Sequence, residues 1–290
     1  AAAELEAEDI AYPVRSIFWK LSNINFTLAY ARSIDLQNRI IITDGASISY
    51  DYLILATGSI TYSFNLPGVE KNSFFLKTLE EAVALKNHII CCFEAATREE
   101  DEVKRRSLLT FVIVGGGATG VEYAGALTEL IHGPLAKDYQ TVDFHGVLII
   151  LLEAADGLVA NMPQSIRIYT LKKLRKMGVD VRLETKVNEV TTNEVILSGQ
   201  DNIPTWTVVW TAGVKGEPLA ALSGVAVERD GRVPVQNTLQ VTEHPDIYAI
   251  GDLASIKEDS RVLPMVAQVA IQSGITAAQN ILRPLAGQTL

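Results

Sequence analysis

The 290-residue sequence predicts an α/β fold organised on parallel sheet, and three observations carry that prediction. Phe111–Glu122 reads FVIVGGGATGVE: an apolar, mostly β-branched run, then glycines at 115, 117 and 120, then a helical pattern. Further short apolar runs (Tyr52–Ala56, Val147–Leu152, Thr207–Trp210 and Ile247–Ile250) each end at a turn or a carboxylate, as buried parallel strands do. The series hairpin, buried strand, glycine-bearing turn also occurs twice, at Arg39–Gly58 and at Val187–Gly213.

The glycine run explains itself physically. Gly115 makes the tight turn, Gly117 lets backbone approach a pyrophosphate, and Gly120 lets helix and strand pack closely. The helix that follows, with Val121, Ala124, Leu127 and Leu130 on one side, offers N–H groups and a partial positive charge to phosphates. Strand, glycines and helix in this order point to a Rossmann-like, dinucleotide-binding unit; the plainer alternative is a structural turn in a sheet. The two repeat copies differ in one respect. Thr211 lies 96 residues after Gly115 (211 − 115 = 96), and a loop at that distance before Thr57 would fall before residue 1. The expectation is a chain that begins inside a domain.

Composition narrows the class. With 48% hydrophobic residues and a mean hydropathy of +0.19, the chain can bury a large core. Its longest aliphatic run, Val147–Leu152, is far too short to cross a bilayer, and no signal peptide is evident. A net charge of −9 and a pI near 5.0 argue against nucleic acid as a partner, because that binding needs Lys and Arg on phosphates. Cys91 and Cys92 are adjacent, fit neither a redox nor a metal spacing, and are expected to be buried, inert thiols of a reducing, intracellular protein. The four histidines share no spacing, and no metal site is expected.

The remaining elements follow in order. Arg39–Thr43 and Ser47–Tyr50 flank an Asp44-Gly45 turn as a hairpin. Thr78 and Glu81 form a capping box for a helix reaching about Ala96, with Leu79, Ala82, Val83, Ile89 and Phe93 as its apolar face. Arg98–Arg106 reads as a charged linker and His132–His145 as an irregular polar insertion. A basic helix over Ser165–Met177 is closed by Gly178, and a last helix spans about Pro264 to Leu282.

From about Leu5 to Gly287 the chain resembles the type II, single-subunit NADH dehydrogenases of the two-dinucleotide-domain flavoprotein superfamily. The matching pieces are YDYLILATGS (Tyr50–Ser59), GGGATGVEYAGAL (Gly115–Leu127), VVWTAGV (Val208–Val214), HPDIYAIGDLA (His244–Ala254) and LPMVAQVAIQSG (Leu263–Gly274). The resemblance implies an NADH domain, 79–210, inserted into an incomplete FAD domain made of 1–78 and 211–290. It implies hydride transfer from NADH to FAD and electron transfer on to a quinone. It also implies a parent that is cytoplasmic or peripheral on the cytoplasmic face of a membrane, and it leaves a homodimer open. The family's N-terminal FAD glycine loop and its C-terminal membrane-associating region have no counterpart in these residues.

Site residues follow from both lines. Glu153, ending a strand, is placed to accept hydrogen bonds from adenosine ribose hydroxyls; an ordinary exposed glutamate is the alternative. In the resembled family the Glu122 position lies near nicotinamide and flavin, though an acid there also suits the helix dipole. Asp252 resembles the aspartate that binds the FAD ribityl chain, with a helix cap as the alternative. The turns at Thr57, Gly58, Gly213 and Gly251 are implied cofactor contacts, and the helix start at Val266 and Ala267 would stabilise a reduced flavin. Gln268 and Gln272, four apart beside Ala267 and Ala270, match the family's A-Q-x-A-x-Q motif and would hydrogen-bond quinone carbonyls; exposed helix-forming residues are the alternative. The rival functions are another reductase of the superfamily, acting on ferredoxin or a disulfide, and a non-catalytic NADH-binding module.

Overall fold

The computed structural model describes residues 11–259 and 261–287; the first ten residues of the expected FAD segment lie outside them. The chain divides into two compact units, one built on Thr61–Gly213 and the other on Val14–Ile60 with Val214–Leu290.

In the first unit the motif strand, Thr110–Val114, lies between Leu148–Leu152 and Thr207–Trp210, with Asp180–Arg182 beyond Leu148–Leu152. All pairings are parallel, with Val114 opposite both Leu152 and Trp210. Every residue of the motif strand is buried, because the sheet is covered on both faces. Side chains alternate across the pleat, and that alternation sorts the core. Phe111, Ile113, Ile149 and Leu151 point to a cluster with Leu85, Ile89, Phe93 and Leu127 from helices. Val112, Val114, Ile150 and Leu152 point to the opposite cluster, with Val187, Val190, Val195 and Leu197. The latter come from a three-stranded antiparallel sheet, Val187–Val190, Glu194–Leu197 and Ile203–Pro204.

The second unit repeats the scheme on a smaller scale. Leu53–Leu55 pairs in parallel with His244–Ala249, which pairs in turn with Gln240–Val241. Leu53, Leu55, Ile247 and Ala249 share a core with Ile34 and Leu219. Tyr248, on the other side of its strand, packs with Ala277 of the last helix, Ala267–Leu285. The expected hairpin is present as Ile40–Thr43 against Ile48–Ser49, extended by a further strand, Ala31–Asp35.

Several local expectations need correction. The capping box at Thr78 is formed in both directions, and its helix runs Leu79–Ala96. Its buried face, however, is Leu85, Ile89, Cys92, Phe93 and Ala96, whereas Leu79 and Val83 are exposed. The buried set follows the i, i+4, i+7, i+8 rhythm of one helix face. Arg98–Arg106 is no plain linker: Asp101 accepts N–H groups of Val103 and Lys104 and caps a helix, Glu102–Leu108. The His132–His145 insertion begins as a π-turn, Ile131–Leu135, continuing the motif helix. Pro134 sits inside it, lacks an N–H and crowds the preceding turn, so the ladder widens there. Tyr52–Ala56 shortens to Leu53–Leu55, with Ile54 exposed between two buried leucines.

Cys91 is exposed and only Cys92 is buried, so the two adjacent thiols do not share one environment. Burial pushes the Cys92 thiol up, with His88 Nε2 at 3.4 Å and Thr207 Oγ1 at 3.7 Å. A thiolate is the reactive form, so burial and a raised pKa both protect Cys92. A disulfide exchange reagent near pH 8 is expected to titrate one thiol in the folded protein and two after denaturation.

Candidate functional site

The first unit gathers its predicted residues at the carboxyl end of the motif strand. Gly115 has φ +113, and a Cβ on it would lie 2.7 Å from the Ala212 nitrogen. At Gly120 a Cβ would lie 1.9 Å from the Gly115 carbonyl oxygen, so the turn and the motif helix, Ala118–Leu130, touch backbone to backbone. Gly117 differs from both. Its φ of −71° is ordinary, and a Cβ on it would meet nothing within 4 Å. Neither torsion nor crowding inside the protein asks for glycine there. A side chain would instead occupy the open space before a helix N-terminus that carries no side-chain cap. Open space before a helix N-terminus is what a pyrophosphate on backbone N–H groups requires.

Glu153 stands at the end of the neighbouring strand, half-buried, and its carboxylate is a bridge. Oε2 accepts the Gly116 N–H at 2.6 Å, and Oε1 accepts the Ala155 N–H at 2.7 Å. Each oxygen keeps a second lone-pair direction. The Val159 N–H donates to Gly116 O at 2.8 Å, so the segment after Glu153 folds back onto the glycine turn. Opposite, the Thr211 hydroxyl donates to the carbonyls of Val114 (2.9 Å) and Gly115 (3.1 Å) and ties the turn to the strand Thr207–Trp210. Sequence spacing assigns no site role to Gly116 or Thr211. The run of three consecutive glycines was the available signal for Gly116: a Cβ there would lie 2.5 Å from Leu158 Cδ2 and 2.9 Å from Glu153 Oε2. Glu122 is exposed in the first turns of the motif helix, and Gly213, with φ +73, closes the turn after Thr211.

The second unit gathers its own set at the carboxyl ends of Leu53–Leu55 and His244–Ala249. Gly58, φ +73, follows the exposed Thr57, and its carbonyl accepts the Glu217 N–H at 3.1 Å. The Ser59 hydroxyl donates to Asp252 Oδ2 at 2.9 Å, a contact that sequence spacing did not reveal. Gly251 has φ +62 and donates its N–H to Ser273 Oγ at 3.0 Å, which seats the Gly251-Asp252 turn against the last helix. Val266 caps that helix without a side-chain hydrogen bond, leaving the end at Ala267 open. Gln268 and Gln272 are both exposed, on the side away from the buried Ser273, Ala277 and Asn280. Glu122 and the two glutamines thus belong to different units.

Strand, glycine turn and helix at a parallel-sheet edge define a Rossmann-type α/β protein. Comparison with known proteins places it more closely. The pyridine nucleotide-disulphide oxidoreductase family model matches residues 3–274. A probable NADH dehydrogenase of Dictyostelium discoideum is 33% identical over 288 residues, covering 97% of this chain and 63% of that protein. A type II NADH:quinone oxidoreductase of Staphylococcus epidermidis is 31% identical, covering all of this chain and 72% of that protein. The fold is shared with NDH2 from Plasmodium falciparum in complex with NADH, at a TM-score of 0.73, 22% identity, 79% of this chain and 50% of that one. The chain belongs to the pyridine nucleotide-disulphide oxidoreductase family and, within it, to the type II NADH:quinone oxidoreductases. It spans under two thirds of the Dictyostelium relative's length.

The motif glycines are expected to separate on substitution. Gly120→Ala forces helix and turn apart and should lower stability by about 1–3 kcal/mol, as overpacking does. Gly117→Ala meets no atom and should stay within about 1 kcal/mol, the scale of an N-cap change. Urea denaturation followed by tryptophan fluorescence measures both.

Proposed function

We propose that the protein transfers hydride from NADH to FAD and passes electrons to a quinone, as its family name describes. The observation that carries the reading is Gly117, a glycine that serves no torsion and no internal packing but clears the approach to a helix N-terminus. In this reading 79–210 is the NADH-binding domain, and 1–78 with 211–290 belong to the FAD-binding domain. When bound, nicotinamide and flavin supply the hydride and electron chemistry. The chain's own residues bind and orient.

Gly115, Gly117 and Gly120 would hold the NADH pyrophosphate against the motif helix. Glu153 would accept ribose hydroxyls on the lone pairs that Gly116 and Ala155 leave free. Glu122 and Gly213 would face the nicotinamide side. On the flavin side, Asp252 would orient ribityl hydroxyls, its carboxylate held by Ser59. Thr57, Gly58 and Gly251 would line the same edge. The helix start at Val266 and Ala267 would turn its partial positive charge to the reduced ring. Gln268 and Gln272 would donate to the quinone carbonyls. Quinones dissolve in membranes, and the described residues contain no helix long and apolar enough to span one. Peripheral association is therefore part of the proposal.

Two measurements test the reading. NADH should bind at least about tenfold more tightly than NADPH, because a 2′-phosphate near Glu153 meets a like charge. Such a pair ~4 Å apart repels by about 4 kcal/mol at an effective dielectric of 20. Gly117→Ala should weaken NADH binding while the protein stays folded. Equal affinities for the two nucleotides, or a Gly117→Ala protein with unchanged NADH affinity, sink the site assignment. In the flavin-loaded parent, replacing Gln268 and Gln272 together by Ala should slow quinone turnover roughly 10- to 100-fold, from about 1–3 kcal/mol per unmet buried acceptor. Anaerobic stopped-flow reduction of flavin by NADH should hardly change. A slowed flavin reduction with intact quinone kinetics would move the two glutamines to the NADH half-reaction.

A further inference from the structure

Within the first unit, Tyr62–Asn65 is bound to the end of the sheet and strained. The Tyr62 N–H donates to Gly213 O at 3.1 Å, and Trp210 Nε1 donates to Tyr62 O at 3.1 Å. The Ser63 hydroxyl donates to Glu70 Oε1 at 2.9 Å. These bonds hold two consecutive non-glycine residues in the left-handed region, Phe64 at φ 54 and Asn65 at φ 54. Asparagine tolerates that conformation; for phenylalanine it is unfavourable, and such strain gathers where a side chain must be aimed.

The strain sets Phe64 in one place. A Cβ on Gly213 would lie 2.6 Å from the Phe64 ring atoms Cε2 and Cζ, so the ring edge occupies the space that glycine leaves. Tyr62 supports the ring, with centroids 4.8 Å apart and planes tilted by 51°. Despite this packing Phe64 is 50% exposed. A burial motive does not account for a strained, half-exposed aromatic ring.

Topology says what lies there. The sheet order sets the motif strand between Leu148–Leu152, which carries Glu153 beyond its end, and Thr207–Trp210, which leads to Gly213. A dinucleotide lies across the carboxyl edge at the switch point, its pyrophosphate at the glycine turn. With adenosine on the Glu153 side, the other nucleoside falls on the Gly213 side. Ala212 touches Gly115, and Phe64 touches Gly213, so the ring is the next surface along that edge.

We propose that Phe64 is the aromatic wall of the nicotinamide subsite, its ring positioned by Gly213 and the strained Tyr62–Asn65 turn. The inference rests on the NADH reading above. Stacking of one ring on another supplies about two- to tenfold in affinity. The test compares NADH with ADP-ribose, which lacks the nicotinamide, by equilibrium titration of the wild-type chain, Phe64→Leu and Phe64→Tyr. Phe64→Leu should weaken NADH about two- to tenfold and leave ADP-ribose unchanged, while Phe64→Tyr keeps both; the emission of bound NADH should also shift in Phe64→Leu. Equal losses for both ligands in Phe64→Leu would make Phe64 merely structural, and no loss for either would empty the subsite; each overturns the inference alone. A wild-type chain that binds neither ligand overturns the NADH reading and this inference with it.

Discussion

The Gly120 Cα and the Gly115 carbonyl are so close that no side chain fits between them. That contact sets how near the motif helix stands to the motif strand, and the rest of the first unit adjusts to it. Leu127 and Ala124 can then bury fully against Phe111 and Ile113 from the helix side. The Thr211 hydroxyl reaches the same carbonyl from the other side, so the third strand is registered to the turn as well as to its neighbour. A close-packed interior transmits such a constraint because it has little slack. The glycine turn is therefore held from the helix side and from the Thr207–Trp210 side at once.

In both units the candidate site residues stand at the carboxyl ends of parallel strands, and the apolar cores lie on the faces of the sheets. Buried residues on opposite faces of one sheet serve different layers: odd positions of the motif strand pack on helices, even ones on the antiparallel sheet. That sandwich leaves only the strand ends free of packing duties. Glycines and short polar residues occupy them, each with a definite partner: Glu153 with Gly116 and Ala155, Asp252 with Ser59, Gly251 with Ser273. Polar groups fixed in this way keep their orientation without help from a ligand.

Much of this could be read from residues alone, and the reason is local. The motif strand and its glycines, the Thr78 capping box and the Gly178 helix stop each depend on a few neighbouring residues, so spacing reveals them. What spacing could not reveal depends on tertiary partners. Leu79 and Val83 look like core residues on a helical wheel, yet both are exposed and the helix buries the face of Leu85, Ile89 and Phe93 instead. The Arg98–Arg106 stretch is charged enough to read as linker, and the helix there is set by Asp101 at its cap. Pro134 announces a break, although the chain continues through it as a widened turn. Glu153 was legible as a position and not as a bridge, because its two donors come from different segments. Phe64 gave no sequence signal, since backbone torsion does not show in residue type.

If Glu153 reads the nucleotide as proposed, its bridge bears on how cofactor preference can change over evolution. A glutamate whose only duty was to repel a phosphate could be exchanged freely for a neutral or basic residue. Here the same carboxylate joins the Gly116 and Ala155 amides, one to each oxygen. Glutamine retains a single acceptor oxygen and arginine none, so either would leave at least one amide of the fold-back segment unmet. Under the proposed NADH reading, specificity and loop architecture would be inherited together, and a lineage altering one would first need another support for the other.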